Sequence, residues 1–192
     1  MSLHAKLKEA TRPQHEATEH LLFPQQDWLS LSLDQYREFL QIQYVFHQQA
    51  EWQIDTALGP ELQQTLRWPN RQKLPWIERD LLEINTITPT GFPKETIVAS
   101  EEEAMGLLYV TEGAMLGGRM IKKALQKNEQ IAPHVSFRFL AGYEGDTAAY
   151  WKSFLNVLAN NYREPKTVIT AAQRGFDLFA QSVYLIRKKM VS

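Results

Sequence analysis

The sequence predicts an all-α fold, a single-domain helical bundle over residues 1–192. Its nine prolines leave long proline-free windows, which suit helices and suit a strand-and-turn protein poorly. Inside these windows the apolar residues recur at steps of three and four, as on one face of a helix. No segment has a convincing strand pattern. At about 150 residues per domain, the length corresponds to one domain.

Six segments carry the helical pattern, and three of them have clear end signals. The second helix stops at Gly59-Pro60, and the last is opened by Pro165 in its first turn. Ser100 and Glu103 form a capping box at the start of the fourth. The predicted helices cover residues 3–22, 33–58, 74–84, 100–127, 146–162 and 166–189.

Composition and charge exclude several classes of protein. Apolar residues make up 44% and charged residues 22%, the balance of a folded globular chain. The net charge of −1 argues against binding of nucleic acid or a membrane surface through bulk charge. The longest uncharged run, residues 39–50, is too short for a spanning helix of about 20 residues, and the first residues do not predict a secretion signal. The lack of cysteine excludes disulfides, cysteine–zinc sites and iron–sulfur clusters, and we expect a cytoplasmic protein.

The segment 105–121 is unusual for its glycines. It holds four of the nine in the chain: Gly106, Gly113, Gly117 and Gly118. An interior helical glycine costs about 1 kcal/mol relative to alanine, so three within six residues need a reason. Either the small residues allow close helix–helix packing, or the bare backbone lies against a flat ligand. The residues alone leave both interpretations open.

The first helix carries a line of polar residues on one face: Lys8, Thr11, His15 and Glu19. A histidine with a carboxylate one turn later is what an axial iron ligand needs, because the carboxylate fixes the second ring nitrogen. Lys8 lies about 10 Å away along the helix axis, within reach of an anionic edge of a large planar ligand. The alternative is a solvated helix face with an ordinary surface histidine.

The residues present exclude two other classes of helical protein. Di-iron carboxylate bundles need Glu-x-x-His pairs, and none of the five histidines has a glutamate three residues before it. A thiaminase-type enzyme needs a cysteine nucleophile, which this sequence lacks. Both hypotheses are therefore discarded.

Three segments together resemble the haem oxygenase family, especially its short bacterial, biliverdin-producing members. Residues 7–15, LKEATRPQH, resemble the proximal-helix motif that ends in the haem-ligating histidine. Residues 109–119, YVTEGAMLGGR, resemble the glycine-rich distal helix of members associated with phytochromes. Residues 139–154 resemble the region that follows. The resemblance implies that haem lies between the proximal, N-terminal helix and the distal helix, residues 100–127.

The resemblance also implies roles for individual residues. His15 corresponds to the axial ligand of the haem iron and Glu19 to its hydrogen-bonding neighbour. Lys8 and Lys152 correspond to partners of the haem propionates and Phe176 to an aromatic wall, although Lys152 and Phe176 are equally explained as a surface lysine and a core phenylalanine. The implied catalytic positions are His15, Gly113 and Ala114, and the implied haem-binding residues are Lys8, Thr11, Glu19, Tyr109, Gly113, Gly117, Gly118, Lys152 and Phe176.

Ala114 departs from the animal-type pattern, in which this position holds a carboxylate that orders water for proton delivery. Some bacterial members resemble this sequence in lacking the acid. We expect an ordered water chain in its place, supported by the backbone near Gly113, by Tyr109 or, less favourably placed on the helix, by Glu112. We expect a reaction that is slower than with the acid but still productive.

The implied reaction opens haem to biliverdin, carbon monoxide and ferrous iron, so haem is both substrate and cofactor. The resemblance implies a ferredoxin or reductase as electron donor, and a bacterial phytochrome as a candidate acceptor of biliverdin. One alternative is a protein on the same fold that senses, stores or carries haem without opening it; another is a structural protein without haem. A basic cluster is either the docking site of the electron donor or a solvated helix end, and it comprises Arg119, Lys122, Lys123 and Lys127.

Overall fold

The computed structural model describes residues 2–22, 27–92, 96–162 and 165–191, which contain eight α-helices and no strand. The all-α prediction is confirmed. Short 3₁₀ turns cover Trp68–Arg71 and Glu144–Asp146. The helices are α1 (Leu3–Leu22), α2 (Leu33–Ala57), α3 (Pro60–Leu66), α4 (Leu74–Glu83), α5 (Glu101–Leu125), α6 (Arg138–Ala141), α7 (Thr147–Asn161) and α8 (Pro165–Val191).

All six predicted helices are present, with ends within two residues of the predicted bounds. The sequence pattern missed α3 and α6. These helices have seven and four residues, which is too short for a helical period to show. Helix α1 continues through Pro13 without a break.

The start of α5 differs in one detail from the predicted capping box. The Ser100 side chain accepts a hydrogen bond from the Glu103 backbone N–H at 3.3 Å, as predicted. The Glu103 carboxylate, however, accepts from the N–H of Ala99 at 2.7 Å and not from that of Ser100. The reciprocal bond of the box therefore forms one residue earlier, where it still fixes the chain that enters α5.

Helix α8 packs against α1, α2 and α5. Two glycines allow α5 and α8 to approach closely. A Cβ atom on Gly106 would stand 2.4 Å from the Val168 carbonyl oxygen, and one on Gly175 would stand 3.0 Å from the side chains of Leu107 and Val110. Glycine at these positions therefore serves helix packing.

Helix α1 is held on α8 near its middle and at its end. The Gln173 side-chain amide donates to the Ala10 carbonyl at 3.0 Å. Arg187 donates to the carbonyls of Leu21 at 2.9 Å and Leu22 at 3.3 Å. The two Arg187 bonds satisfy carbonyls that a helix C-terminus leaves without an intrahelical partner.

The buried apolar side chains form two clusters. One joins α2, α5, α7 and α8 through residues such as Phe46, Leu107 and Phe154. The other lies among α2, α4, α5 and α6 and includes Phe39 and Leu140. None of the helices in the described ranges has the length and hydropathy needed to cross a membrane.

Candidate functional site

Two adjacent residues of α8 bring the two sequence motifs together. The ring of Phe176 lies edge-on to His15 of α1, with centroids 5.9 Å apart. Its neighbour Gly175 lies against Val110 of α5. The proximal and distal motifs are therefore at the same level of the bundle.

His15 presents its imidazole to solvent while a carboxylate stands beside it. Its side chain is 56% exposed, and its Nδ1 atom is 3.6 Å from a carboxylate oxygen of Glu19, one turn later on α1. This separation is longer than a hydrogen bond. Because Nδ1 faces Glu19, Nε2 is the nitrogen left for a ligand.

The other predicted residues of α1 divide between surface and interior. Lys8 is exposed, like His15 and Glu19. Thr11 is only 3% exposed, and its hydroxyl donates to the Leu7 carbonyl at 2.8 Å. Lys8 is thus free to meet a ligand at the surface, and Thr11 packs inside the bundle.

The glycines of α5 serve two purposes. A Cβ atom on Gly117 would meet nothing within 4 Å, and one on Gly113 would meet only the Trp151 ring, at 3.9 Å. A Cβ atom on Gly118 would instead stand 2.9 Å from the Leu140 carbonyl oxygen of α6. Gly118 therefore allows close packing against α6, Gly117 presents bare backbone to open space, and Gly113 leaves a face of α5 that only the Trp151 ring approaches. Close packing thus accounts for Gly118, whereas the interpretation that bare backbone lies against a flat ligand stays a prediction for Gly113 and Gly117.

Aromatic side chains flank the open face at Gly113. Trp151 of α7 lies 5.6 Å from Tyr109 and 5.6 Å from His4, measured between ring centroids. Tyr109 is buried, and this burial raises the pKa of its hydroxyl. Ala114 and Lys152 are exposed.

Glu112 belongs to a buried polar network that the sequence did not predict. Its carboxylate accepts hydrogen bonds from Arg71 and Lys73, and it accepts one from the Tyr143 hydroxyl at 2.6 Å. Burial opposes ionisation of Glu112, but the charges of Lys73 and Arg71 outweigh it and hold the pKa below the usual range. The expectation that Glu112 supports a water chain has no support in this geometry, because its buried carboxylate is held by Arg71, Lys73 and Tyr143.

A second acid lies next to this network. Glu51 of α2 accepts the backbone N–H of Leu74 at 3.2 Å and that of Lys73, at the start of α4. His47, one turn earlier, is fully buried with Nδ1 3.4 Å from Glu51, and burial lowers the pKa of its imidazole. No helical period spans residues 68–73, so no sequence pattern indicates that these side chains meet.

The basic cluster lies along the last turns of α5. Arg119, Lys122 and Lys123 line a surface cavity of about 390 Å³, together with Gln126 and the 141–145 segment. Lys127 lies beyond α5 and is exposed. Three of the four predicted docking residues therefore share one surface.

Comparison with known proteins agrees with this architecture. The family model described as Heme oxygenase matches residues 1–90 and 92–184. A curated heme oxygenase from Xanthomonas campestris pv. campestris (strain 8004) is 32% identical over 91 residues, which are 47% of this chain and 53% of the relative. This chain thus spans about half the length of the curated relative that it matches.

Three solved heme oxygenase structures share the fold. The NO- and CO-bound protein of Neisseria meningitidis has a TM-score of 0.80 at 23% identity, covering 97% of this chain and 92% of that one. The protein of Leptospira interrogans has a TM-score of 0.73 at 17% identity, covering 95% and 98%. Heme oxygenase-1 of the cyanobacterium Synechocystis, in complex with heme, has a TM-score of 0.66 at 14% identity, covering 100% and 95%. From the family match over nearly all of its length, the chain belongs to the haem oxygenase family.

Proposed function

We propose that this protein opens the haem ring with dioxygen and external electrons, and releases biliverdin, carbon monoxide and ferrous iron. The observation that carries the proposal is an exposed imidazole and a bare helix backbone at the same level of the bundle. His15 supplies the imidazole, and Gly113 and Gly117 supply the backbone. Family membership supports the same activity.

The residues at this level fit a haem. The Nε2 atom of His15 is left for the iron, and Glu19 would hold the ring from its other side. Gly117 leaves the space that a flat ring needs, since no side chain enters it. Phe176 would form an aromatic wall beside His15. The other proposed haem-binding residues are Lys8 and Lys152, toward the propionates, with Tyr109 and Gly113, whereas Thr11 and Gly118 pack inside the bundle.

Haem supplies the iron and the oxygen chemistry when bound, and the protein determines the outcome. His15 would hold the iron as an imidazole ligand, which donates less electron density than a thiolate would. Glu19 stands beside Nδ1 and would hold the imidazole in one orientation when haem is bound. Gly113 and Gly117 keep bulky groups away from the distal side of the ring.

Proton delivery at Ala114 must use groups other than a carboxylate. A methyl group holds no proton, so water and backbone groups near Gly113 would supply it. Tyr109 is the nearby side chain with a transferable proton, and the raised pKa of its hydroxyl keeps that proton in place at neutral pH. Slow but productive turnover is the expected consequence.

Electrons would arrive from a ferredoxin or reductase docked on the basic end of α5. Arg119, Lys122 and Lys123 share one surface there, and Lys127 lies two residues after the end of α5 in the sequence. An acidic patch on the donor would be steered to such a surface. A bacterial phytochrome is proposed as the biliverdin acceptor, and the cytoplasm as the location.

The second candidate function is haem binding, sensing or transport without ring opening. Ala114 favours it, because the position lacks the acid that animal-type members use. Every haem contact proposed above would be the same in such a protein.

Adding hemin, then a reductase or ascorbate, and recording the visible spectrum separates these functions. The oxygenase predicts a Soret band that decays while the absorption of biliverdin rises. A stable Soret band would instead assign the protein to haem binding. If the Soret band of hemin stays unchanged on adding the protein, neither function would stand.

A further inference from the structure

Glu112 is the residue immediately before Gly113, and its buried network contacts three other parts of the chain. Arg71 comes from the 3₁₀ turn before α4, Lys73 from the residue that precedes α4, and Tyr143 from the segment after α6. We call Glu112, Arg71, Lys73 and Tyr143 the Glu112 cluster. The charged side chains of this cluster are each only 1% exposed.

The hydrogen bonds of the Glu112 cluster are well satisfied. Arg71 donates from Nε to the Leu66 carbonyl at 2.6 Å and from Nη2 to Ser153 at 2.8 Å and the Tyr150 carbonyl at 3.2 Å, in addition to its bond with Glu112. Lys73 donates to Glu112, to the Arg71 carbonyl and to the Tyr143 hydroxyl at 3.0 Å. Directed bonds of this kind fix relative position, whereas apolar contacts tolerate sliding.

Retaining two cations and an acid in the interior needs an explanation. Removing charges from water is costly, and well-packed apolar residues often stabilise a fold as well or better. Buried ion networks are best attested where they fix one arrangement against close alternatives. A helix with three glycines within six residues is in particular need of such an external restraint.

The network restrains α5 at the position where the open face begins. Gly113 follows Glu112 directly, and its Cα faces the Trp151 ring. Trp151 lies between Tyr150 and Lys152 on α7, and Tyr150 offers its carbonyl to Arg71 while its ring stacks on Tyr143 at 3.9 Å. The same cluster therefore positions both the Gly113 backbone and the α7 turn that carries Trp151.

We propose that Glu112 is a positioning residue, which fixes the height and rotation of α5 so that Gly113 and Gly117 meet the haem in one arrangement. This inference rests on the proposed function of that face. Glu112 touches neither haem nor reacting atoms; it acts through the backbone that follows it. Loss of its charge leaves Arg71 and Lys73 without an acid and frees α5 to shift against α4 and α7.

The test replaces Glu112 by glutamine and measures two quantities. The first is hydrogen exchange of backbone amides in the protein without haem, and the second is the ratio of biliverdin isomers formed from added haem. Glu112→Gln should speed exchange at residues 113–118 by about tenfold or more, while exchange in α8 changes little. The isomer ratio should shift, because a displaced α5 backbone would meet a different edge of the haem ring.

Two further variants make the test decisive. Glu103→Gln is the matched control, since Glu103 also lies on α5 and pairs with an arginine, Arg174, at 3.2 Å. It should change neither the exchange at 113–118 nor the isomer ratio. If Glu112→Gln does not fold, Tyr143→Phe removes the hydroxyl that donates to Glu112 and accepts from Lys73, leaves the ion pairs in place, and should cause smaller changes in the same direction.

The outcomes separate this inference from the proposed function. Wild-type protein that binds no haem would overturn both. Wild-type turnover with an unchanged isomer ratio in Glu112→Gln and Tyr143→Phe would overturn the positioning role alone. So would exchange that rises equally in all helices, which would identify the cluster as a general contributor to stability.

Discussion

The carbonyl oxygen of Leu140 lies 2.9 Å from the point where a Cβ atom of Gly118 would stand, whereas the neighbouring Gly117 has nothing within 4 Å of that point. Adjacent glycines of one helix thus have different surroundings. Gly118 is needed for the packing of α6 on α5, and Gly117 leaves space beside α5. The difference allows the haem-binding role of the glycines to be separated from their packing role.

Replacing Gly117 by leucine should weaken haem binding sharply without loss of stability. The side chain enters the space that the ring would occupy, while removal of an interior helical glycine contributes up to about 1 kcal/mol to folding. Hemin titration and thermal unfolding measure the two effects. Gly118→Leu is the contrasting variant and should lower the melting temperature, because the side chain meets the Leu140 carbonyl. Small changes in melting temperature for both variants, together with unchanged haem affinity, would contradict this division of roles between Gly117 and Gly118.

Replacing His15 by alanine should remove axial ligation and nearly all turnover. The electron paramagnetic resonance and visible spectra of the hemin complex should lose the signature of an imidazole ligand, and added imidazole should restore part of it. His20→Ala is a suitable control, since His20 is also exposed on α1. The assignment is wrong if His20→Ala or His47→Ala removes the ligand and His15→Ala does not.

Replacing Ala114 by aspartate should speed decay of the oxygen complex. An acid at this exposed position of α5 would order water near Gly113, which the methyl group cannot do. The wild-type protein should show a large solvent isotope effect on this decay, because a water chain limits proton delivery. Stopped-flow spectra in light and heavy water measure both. Equal rates for wild type and Ala114→Asp, with no isotope effect, would show that proton delivery is not limiting.

Asp80 should make folding stability depend on pH. It is fully buried in α4, and burial raises its pKa from 3.8 to about 6, although the N–H groups of Phe139 and Arg138 oppose the rise. Because the folded state holds the proton more tightly, this contribution is fully present below about pH 4 and is lost as pH rises through about 6. In Asp80→Asn, the unfolding free energy should therefore fall less between about pH 4 and about pH 6 than it does in the wild-type protein.

Urea unfolding at a series of pH values provides the measurement for Asp80. Glu83→Gln is the control, since hydrogen bonds from Ser136 lower the pKa of Glu83 despite the opposing effect of partial burial. Its contribution has the opposite sign: it is present above the ordinary pKa and is lost as pH falls. An unchanged pH profile in Asp80→Asn would refute the assignment.

The long helices were predictable because each satisfies a local rule. Ser100 caps α5, and Gly59-Pro60 ends the stretch that contains α2. His15 and Glu19 were identified by helical spacing and by resemblance to a family motif, and the structure places them side by side. Such features depend on residues within one or two turns.

The buried contacts of α5 were not predictable in the same way. Arg71 and Glu112 are separated by 41 positions, and no period in residues 68–73 indicates that they meet. The different surroundings of Gly117 and Gly118 depend on α6, a four-residue helix without a sequence signature. Only the tertiary arrangement shows which glycine faces open space.

Quantifying the products of a single turnover tests the central claim most directly. Haem bound to the wild-type protein is reduced under oxygen with a competent reductase, and carbon monoxide, biliverdin and chelatable ferrous iron are measured against the haem consumed. The proposed function predicts equal amounts of all three products, and none from the His15→Ala protein. Haem that stays intact, or that bleaches without carbon monoxide and biliverdin, would contradict ring opening and leave haem binding as the function.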